Sequence, residues 1–224
     1  MSSEQEKKIA AIESVALVEN GMLVGLGSGS TAVFMIQKLG EEVAKGLSIK
    51  GVPSSIATAK LAREVGIPLV SLEDAMTLDI NIDGADEFDP SMQLIKGGGG
   101  ALLREKIVAH NSKYNVIIAN STKKVEKLGK FKLPIETIPF ATKNIMAELD
   151  QVGLKPKLRS VKGIPYKTDE NNLIVDLDIW EWDDIPRLNE ILLKIPGLVE
   201  TGLFLDSTDL ILVGKGDSVI KIEK

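Results

Sequence analysis

The chain has 224 residues, 44% of them hydrophobic and 26% charged, with a formal net charge of −5, no cysteine and one histidine. That length supports one large domain or a main domain with a smaller lobe, and no stretch approaches the ~20 apolar residues that a membrane-spanning helix needs. The acidic balance argues against nucleic acid, the lack of cysteine excludes disulfides and thiolate chemistry, and a serine triad or histidine-rich metal site would have to be built on His110 alone.

Acid and base chemistry therefore falls to carboxylates and lysines. The polar start of the chain shows no apolar core with a cleavage site, so a cytoplasmic protein is expected. Residues 4–18 place Ile9, Ile12 and Ala16 at helical spacing among Glu and Lys, which predicts an amphipathic first helix. Strand and helix then alternate: strand over 22–27, helix over 31–45, strand over 47–52, helix over 55–65, and strands over 68–71 and 78–83. After a turn at Asp89-Pro90, an extended segment over 93–96 leads to four glycines and a helix over 101–110. That helix ends in His110, where a partly positive imidazole suits the helix dipole. An apolar strand over 116–119 follows. This alternation predicts a parallel sheet wrapped by helices, an α/β fold.

From about Phe131 the texture changes, and Pro134, Pro139, Pro156, Pro165, Pro186 and Pro196 punctuate shorter elements. A strand over 173–178, a helix over 183–194 and a strand over 198–205 predict a second, smaller α/β lobe over 131–205. Strands over 210–213 and 219–222, joined as a hairpin through Gly214-Lys215-Gly216, are assigned with residues 1–130, so the larger domain comprises 1–130 plus 206–224.

Three motifs carry chemistry. Gly25-Leu26-Gly27-Ser28-Gly29-Ser30-Thr31 follows a strand and opens a helix, so its backbone amides and the Ser28, Ser30 and Thr31 hydroxyls suit an anion such as phosphate. It departs from the dinucleotide fingerprint, with Ser30 in place of the third glycine and no acidic residue in Val52-Pro53-Ser54-Ser55 for a ribose hydroxyl. It also lacks the Gly-Lys-Ser/Thr ending of a P-loop. The second motif, from Asp79 to Pro90, begins like a calcium-binding EF-hand loop with Asp79, Asn81, Asp83 and Gly84. Its last position is Pro90 instead of a bidentate glutamate, and a strand precedes it, so calcium is discarded. Asp83, Gly84, Ala85 and Asp86 are left at the carboxyl end of a strand, where open parallel sheets bind ligands. The third motif runs from Lys96 through Gly97, Gly98, Gly99 and Gly100 to Glu105-Lys106. Four glycines carry an entropic cost that a mere connector rarely bears, so close backbone approach to a ligand is the better reason for them. Glu105 falls about one turn into the next helix as a candidate base; a surface ion pair with a nearby lysine is the plainer alternative.

Together these residues resemble the A-type ribose-5-phosphate isomerase family, with its Gly-x-Gly-x-Gly-Ser-Thr loop, Asp-Gly-Ala-Asp-Glu turn and Lys-Gly-Gly-Gly segment leading to Glu-Lys. The likeness continues through Lys123, Leu128-Gly129-Lys130-Phe131, Pro134-Ile135-Glu136, Ile138-Pro139, Ile195-Pro196-Gly197 and Gly202-Leu203-Phe204. Leu103 departs from it, where many relatives carry a polar residue. The resemblance implies a Rossmann-like domain with a smaller, ferredoxin-like α/β lobe, assembled as a homodimer or a tetramer. It also implies a ribose 5-phosphate site of Ser28, Gly29, Ser30, Thr31, Asp83, Gly84, Ala85, Asp86, Lys96, Gly97, Gly98, Gly99 and Lys123. No metal or cofactor is called for, and the pathway implied is the non-oxidative pentose phosphate branch. Aldose–ketose isomerisation moves a proton between C2 and C1 through an enediolate. Glu105, the family's proton acceptor, is assigned to that transfer, Lys96 to the enediolate charge, and Asp83 and Asp86 to orienting hydroxyls and assisting ring opening. A phosphosugar-sensing protein on the same fold is the main alternative, although a sensor needs no general base; a nucleotide-dependent oxidoreductase is a third.

Overall fold

A computed structural model describes residues 2–224, which group into two compact units. The first holds the residues up to Ala85, Arg104–Lys124 and Asp206–Lys224; the second holds Asp86–Leu103 and Val125–Leu205. The sequence reading kept 86–103 and 125–130 with the larger domain. They group with the second unit, where Leu94–Ile95 pairs with Glu87–Phe88 on one side and Leu203–Phe204 on the other in a three-stranded antiparallel sheet. The Val125 N–H also donates to the Phe88 carbonyl at 2.9 Å.

The first unit is built on a six-stranded sheet in the order Ser218–Glu223, Leu210–Lys215, Asn115–Asn120, Ile80–Gly84, Leu23–Leu26, Lys50–Pro53. All pairs are parallel except the terminal hairpin. Alternate residues of the strands, Val24 and Leu26, Ile80 and Ile82, Val116 and Ile118, Leu210 and Leu212, face one core with Ala10 and Ala11 of the first helix and Met35, Ile36 and Leu39 of the second. That is the period of two expected of strands meeting the period of 3.6 expected of helices. The chain leaves Leu23–Leu26 to one side for Lys50–Pro53 and returns to its other side for Ile80–Gly84. The topological switch point, where such sheets bind ligands, therefore lies between Leu23–Leu26 and Ile80–Gly84. Among the described residues no helix is long and apolar enough to cross a membrane.

Three local expectations change. Residues 68–71 make only a single bridge, Leu69 to Gly51: Pro68 has no N–H for a ladder, and Ser71 turns to cap the Leu72–Ala75 helix by accepting the Asp74 N–H. The strand expected over 198–205 breaks at Gly202, whose N–H donates to Pro134 of one sheet while its carbonyl accepts the Lys96 N–H beside the other. The final hairpin runs through Gly214 and Lys215 and turns at Gly216-Asp217.

The first helix, Ser3–Val15, also fastens the two ends of this unit. Glu6 Oε1 accepts the Gly216 N–H at 3.0 Å, and Oε2 accepts the Ser121 N–H at 3.1 Å and its hydroxyl at 2.8 Å. These bonds, that from Gly216 foremost, hold the Glu6 carboxyl below the usual carboxylate range. A carboxylate depressed in the folded state contributes stability above its unfolded pKa and loses it as pH falls through the folded value. The melting temperature of Glu6→Gln is therefore expected to fall below wild type at pH 7, with the gap closing in melts at about pH 3, under the ordinary glutamate value of ~4.3. A gap independent of pH would show that the ionised form is not what matters.

The second unit carries a four-stranded antiparallel sheet in the order Leu198–Thr201, Leu133–Thr137, Leu173–Leu177, Lys157–Leu158. With helices Thr142–Gln151 and Ile185–Leu192 it follows the βαββαβ sequence of a ferredoxin-like lobe. Ile145, Leu149, Leu188 and Leu192 pack with Ile135, Val175 and Leu177.

Candidate active site

Parallel strands bring their carboxyl ends to one edge, and the first unit sets its candidate residues there. Leu26 pairs with Ile82, and Gly84 with Ile118, so residues 27–31, Asp83 near the end of its own strand and the Ser121–Lys123 turn lie at the carboxyl ends of neighbouring strands about 5 Å apart. At the switch point the Ser28 N–H donates to Asp83 Oδ1 at 2.9 Å, and the Gly84 N–H reaches the same oxygen at 2.7 Å. Two backbone donors thus fix the Asp83 carboxylate, which is 1% exposed. The fit requires Gly27, since a Cβ there would stand 2.5 Å from the Asp83 Cα.

The Ser28 hydroxyl is engaged inward, donating to Ser55 Oγ at 2.9 Å; Ser55 donates to Thr58 Oγ1 at 3.0 Å, and Thr58 to the Gly27 carbonyl at 2.9 Å. Ser54 braces the same loop through the Leu26 carbonyl. Residues 54, 55 and 58 were missed by the sequence reading; the Ser54-Ser55 pair after a strand was the available signal. Gly29, in the left-handed region at φ 90°, leads into the helix Ser30–Ala44 with Ser30 exposed. The first-turn amides and the Ser30 and Thr31 side chains form the anion-binding end expected of a helix start. Lys7 Nζ donates to Ser30 Oγ at 3.0 Å. This cation comes from 23 residues upstream, and no local pattern announced it.

Glu105 sits in the first turn of Leu102–His110 and is 6% exposed. Three residues on, Val108 packs where a Gly25 Cβ would be, 2.7 Å from its Cγ1, and the helix then hands the chain to the start of Asn115–Asn120. The helix thus runs antiparallel to the strands, and its first turn with Glu105 lies toward the carboxyl edge. Lys123, half-buried, closes the turn that Glu6 holds through Ser121. His110 is exposed at the helix end, as expected.

The second unit holds the other candidates. Asp86 Oδ2 accepts the Gly98 N–H at 2.7 Å, and the Asp86 N–H donates to Ile95 at 2.9 Å. Lys96 is 3% exposed, with Nζ 5.4 Å from the centre of the Phe204 ring, a cation–π contact that offsets part of its desolvation. Gly97 and Gly100 are buried while Gly98 and Gly99 are exposed. Glu87, unassigned from sequence, is buried and accepts the N–H groups of Gly129 and Phe131.

Comparison with known proteins identifies the family. A family model described as ribose 5-phosphate isomerase A (phosphoriboisomerase A) matches residues 50–218. The ribose-5-phosphate isomerase A of Ruegeria sp. (strain TM1040) is 48% identical over 227 aligned residues, covering 98% of this chain and 87% of that protein. Among solved structures, a D-ribose-5-phosphate isomerase in complex with phospho-erythronic acid matches with a TM-score of 0.96 at 39% identity, and ribose 5-phosphate isomerase A from Methanocaldococcus jannaschii with 0.94 at 38%; each match covers 100% of both chains. The chain belongs to the ribose 5-phosphate isomerase A family and is an isomerase.

Proposed function

We propose that this chain interconverts D-ribose 5-phosphate and D-ribulose 5-phosphate through an enediolate, with Glu105 as the base. The observation that carries the mechanism is a buried glutamate in the first turn of a helix that begins toward the sheet edge bearing Asp83 and the anion-binding loop. A non-catalytic sugar-phosphate sensor has no need of a general base.

Residues 29–31, with Lys7 and Lys123, hold the phosphate, so that binding energy at the unreacting end positions the carbons. Asp83 and Asp86 orient hydroxyls and assist ring opening, which moves the proton of the C1 hydroxyl to the ring oxygen. Glu105 then takes the proton from C2; the C2–H electrons form the C1–C2 double bond, and the carbonyl oxygen at C1 becomes an oxyanion facing Lys96. Return of that proton to C1, with transfer of the O2 proton to O1, leaves the ketone at C2. The decisive test is formation of ketose from ribose 5-phosphate by the purified protein without added metal; no ketose would end this reading.

Lys123→Ala is expected to raise KM more than it lowers kcat, because a phosphate contact is made equally before and during reaction. A pure kcat defect would move Lys123 to the reacting centre. We also propose a cytoplasmic homo-oligomer, a dimer or a tetramer, in the non-oxidative pentose phosphate branch. A monomeric mass by light scattering at micromolar concentration would refute that assembly.

A further inference from the structure

The glycine loop is gripped from one side by two residues that the reaction scheme does not use. Arg159 Nη1 donates to the Gly97 carbonyl at 2.8 Å and to the Gly98 carbonyl at 3.1 Å, and the Tyr166 hydroxyl donates to the Gly99 carbonyl at 2.9 Å. Three consecutive carbonyls are thus engaged. The Tyr166 ring lies so close to Gly100 that a Cβ on that residue would stand 2.4 Å from it. Asp176 holds the guanidinium in turn, through Nε to Oδ2 at 3.1 Å and through Nη2 to Oδ1, and the Arg159 side chain is only 16% exposed.

The local fold explains the pairing. Ser160–Val161 and Ile164–Pro165 form a hairpin across Lys162 and Gly163, both at positive φ, as tight two-residue hairpin turns favour. The Tyr166 N–H donates to the Arg159 carbonyl at 2.9 Å at the base of this hairpin, and the Arg159 N–H donates to Ile174 of the main sheet at 2.8 Å. Guanidinium and phenol are therefore delivered side by side on a short, anchored element. Burial raises the pKa of the Tyr166 phenol above its ordinary value, so the hydroxyl stays a donor well into the alkaline range.

In a trans peptide the N–H points opposite to the C=O. Holding the Gly97 carbonyl turns the Gly98 N–H away from Arg159, and that N–H is the one that binds Asp86. Holding the Gly98 carbonyl likewise turns the Gly99 N–H away from the guanidinium, on an exposed residue whose Cβ direction is clear for 4 Å. A cationic donor on a carbonyl also polarises its peptide, making the attached N–H a stronger donor. We infer that Arg159 and Tyr166, braced by Asp176, are positioning residues for the isomerisation: they set the glycine loop so that the Gly98 N–H aims the Asp86 carboxylate and the Gly99 N–H meets the developing oxyanion. The inference rests on the reading above that Asp86 and this loop face the sugar.

The test uses the full-length protein, steady-state kinetics with ribose 5-phosphate, and the affinity of 4-phospho-D-erythronate, whose carboxylate places a negative oxygen where the enediolate would carry one. Arg159→Met is expected to lower kcat about 10²-fold, the scale of a small misplacement of reacting groups, and Tyr166→Phe about tenfold, the scale of one hydrogen bond. KM should move less than about threefold in both, and phospho-erythronate affinity should fall in step with kcat/KM. Arg159→Lys keeps the charge but not the fork, and should recover only part of the loss. Tyr166→Phe removes one hydroxyl and decides the matter if Arg159→Met fails to fold. Unchanged kcat in Tyr166→Phe, or losses confined to KM, would overturn the positioning role while leaving wild-type turnover, and hence the isomerase reading, intact. Absence of wild-type turnover would end both.

Discussion

Glu105→Gln is expected to bind ribose 5-phosphate and to turn it over about 10²- to 10⁴-fold more slowly than wild type, the range lost with a general base. The substitution keeps the volume and much of the hydrogen bonding of a side chain that is 6% exposed, so the helix Leu102–His110 should fold as before. What it removes is the capacity to accept a proton from carbon. Binding by calorimetry and turnover by ketose formation should therefore separate in one variant. In D₂O the wild type should place some solvent deuterium at C1 of ribulose 5-phosphate, because a carboxylic acid formed during the transfer can exchange before it returns its proton. Near-normal turnover in Glu105→Gln would transfer the base to Asp83 or Asp86.

The sequence disclosed this site unevenly, and the reasons are physical. The loop 25–31, the carboxylates from Asp83 onward at the end of the Ile80–Gly84 strand and the glycines before Glu105 were legible because each demands unusual residues within a few positions. Contacts between distant segments left no such mark: Lys7 on Ser30, Glu87 on Gly129 and Phe131, and Arg159 on the glycine loop span 23 to 62 residues. The Ser28 hydroxyl illustrates the same limit, since the donor expected at the anion is turned toward Ser55 by a helix whose placement no local pattern fixes.

Fold legibility followed the same rule. The alternating first half was read in the right order because its strands are buried runs between amphipathic helices. In the lobe, the strand Leu133–Thr137 was overlooked because Pro134 argues against a strand interior. The residue is tolerated there because its carbonyl accepts the Gly202 N–H, so its nitrogen faces the same side, where the ladder with Leu198–Thr201 has already ended at Ile135. The helix Thr142–Gln151 also went unassigned: it begins without a side-chain cap, and of its three buried residues, Thr142, Ile145 and Leu149, only two are apolar.

The second large effect is expected at Lys96. Its backbone is fixed by the N–H bond to Gly202 and by the neighbouring pair of Ile95 with Leu203, while its ammonium lies over Phe204 in a nearly closed setting. In the proposed mechanism this buried cation meets the oxyanion that develops during reaction. Lys96→Met preserves length and flexibility and removes the charge. The expected result is a fall in kcat of about 10²- to 10³-fold, the range for losing one donor to a developing oxyanion, with KM for ribose 5-phosphate changing much less, because the proposed phosphate contacts lie at residues 29–31, Lys7 and Lys123. Affinity for 4-phospho-D-erythronate should fall with kcat/KM if its carboxylate meets the same cation. Circular dichroism would establish that the variant is folded before its kinetics are read. A folded Lys96→Met that keeps more than about a tenth of wild-type kcat, well outside the range for a lost oxyanion donor, would take this lysine out of the chemistry and leave the enediolate to the backbone amides of the glycine loop.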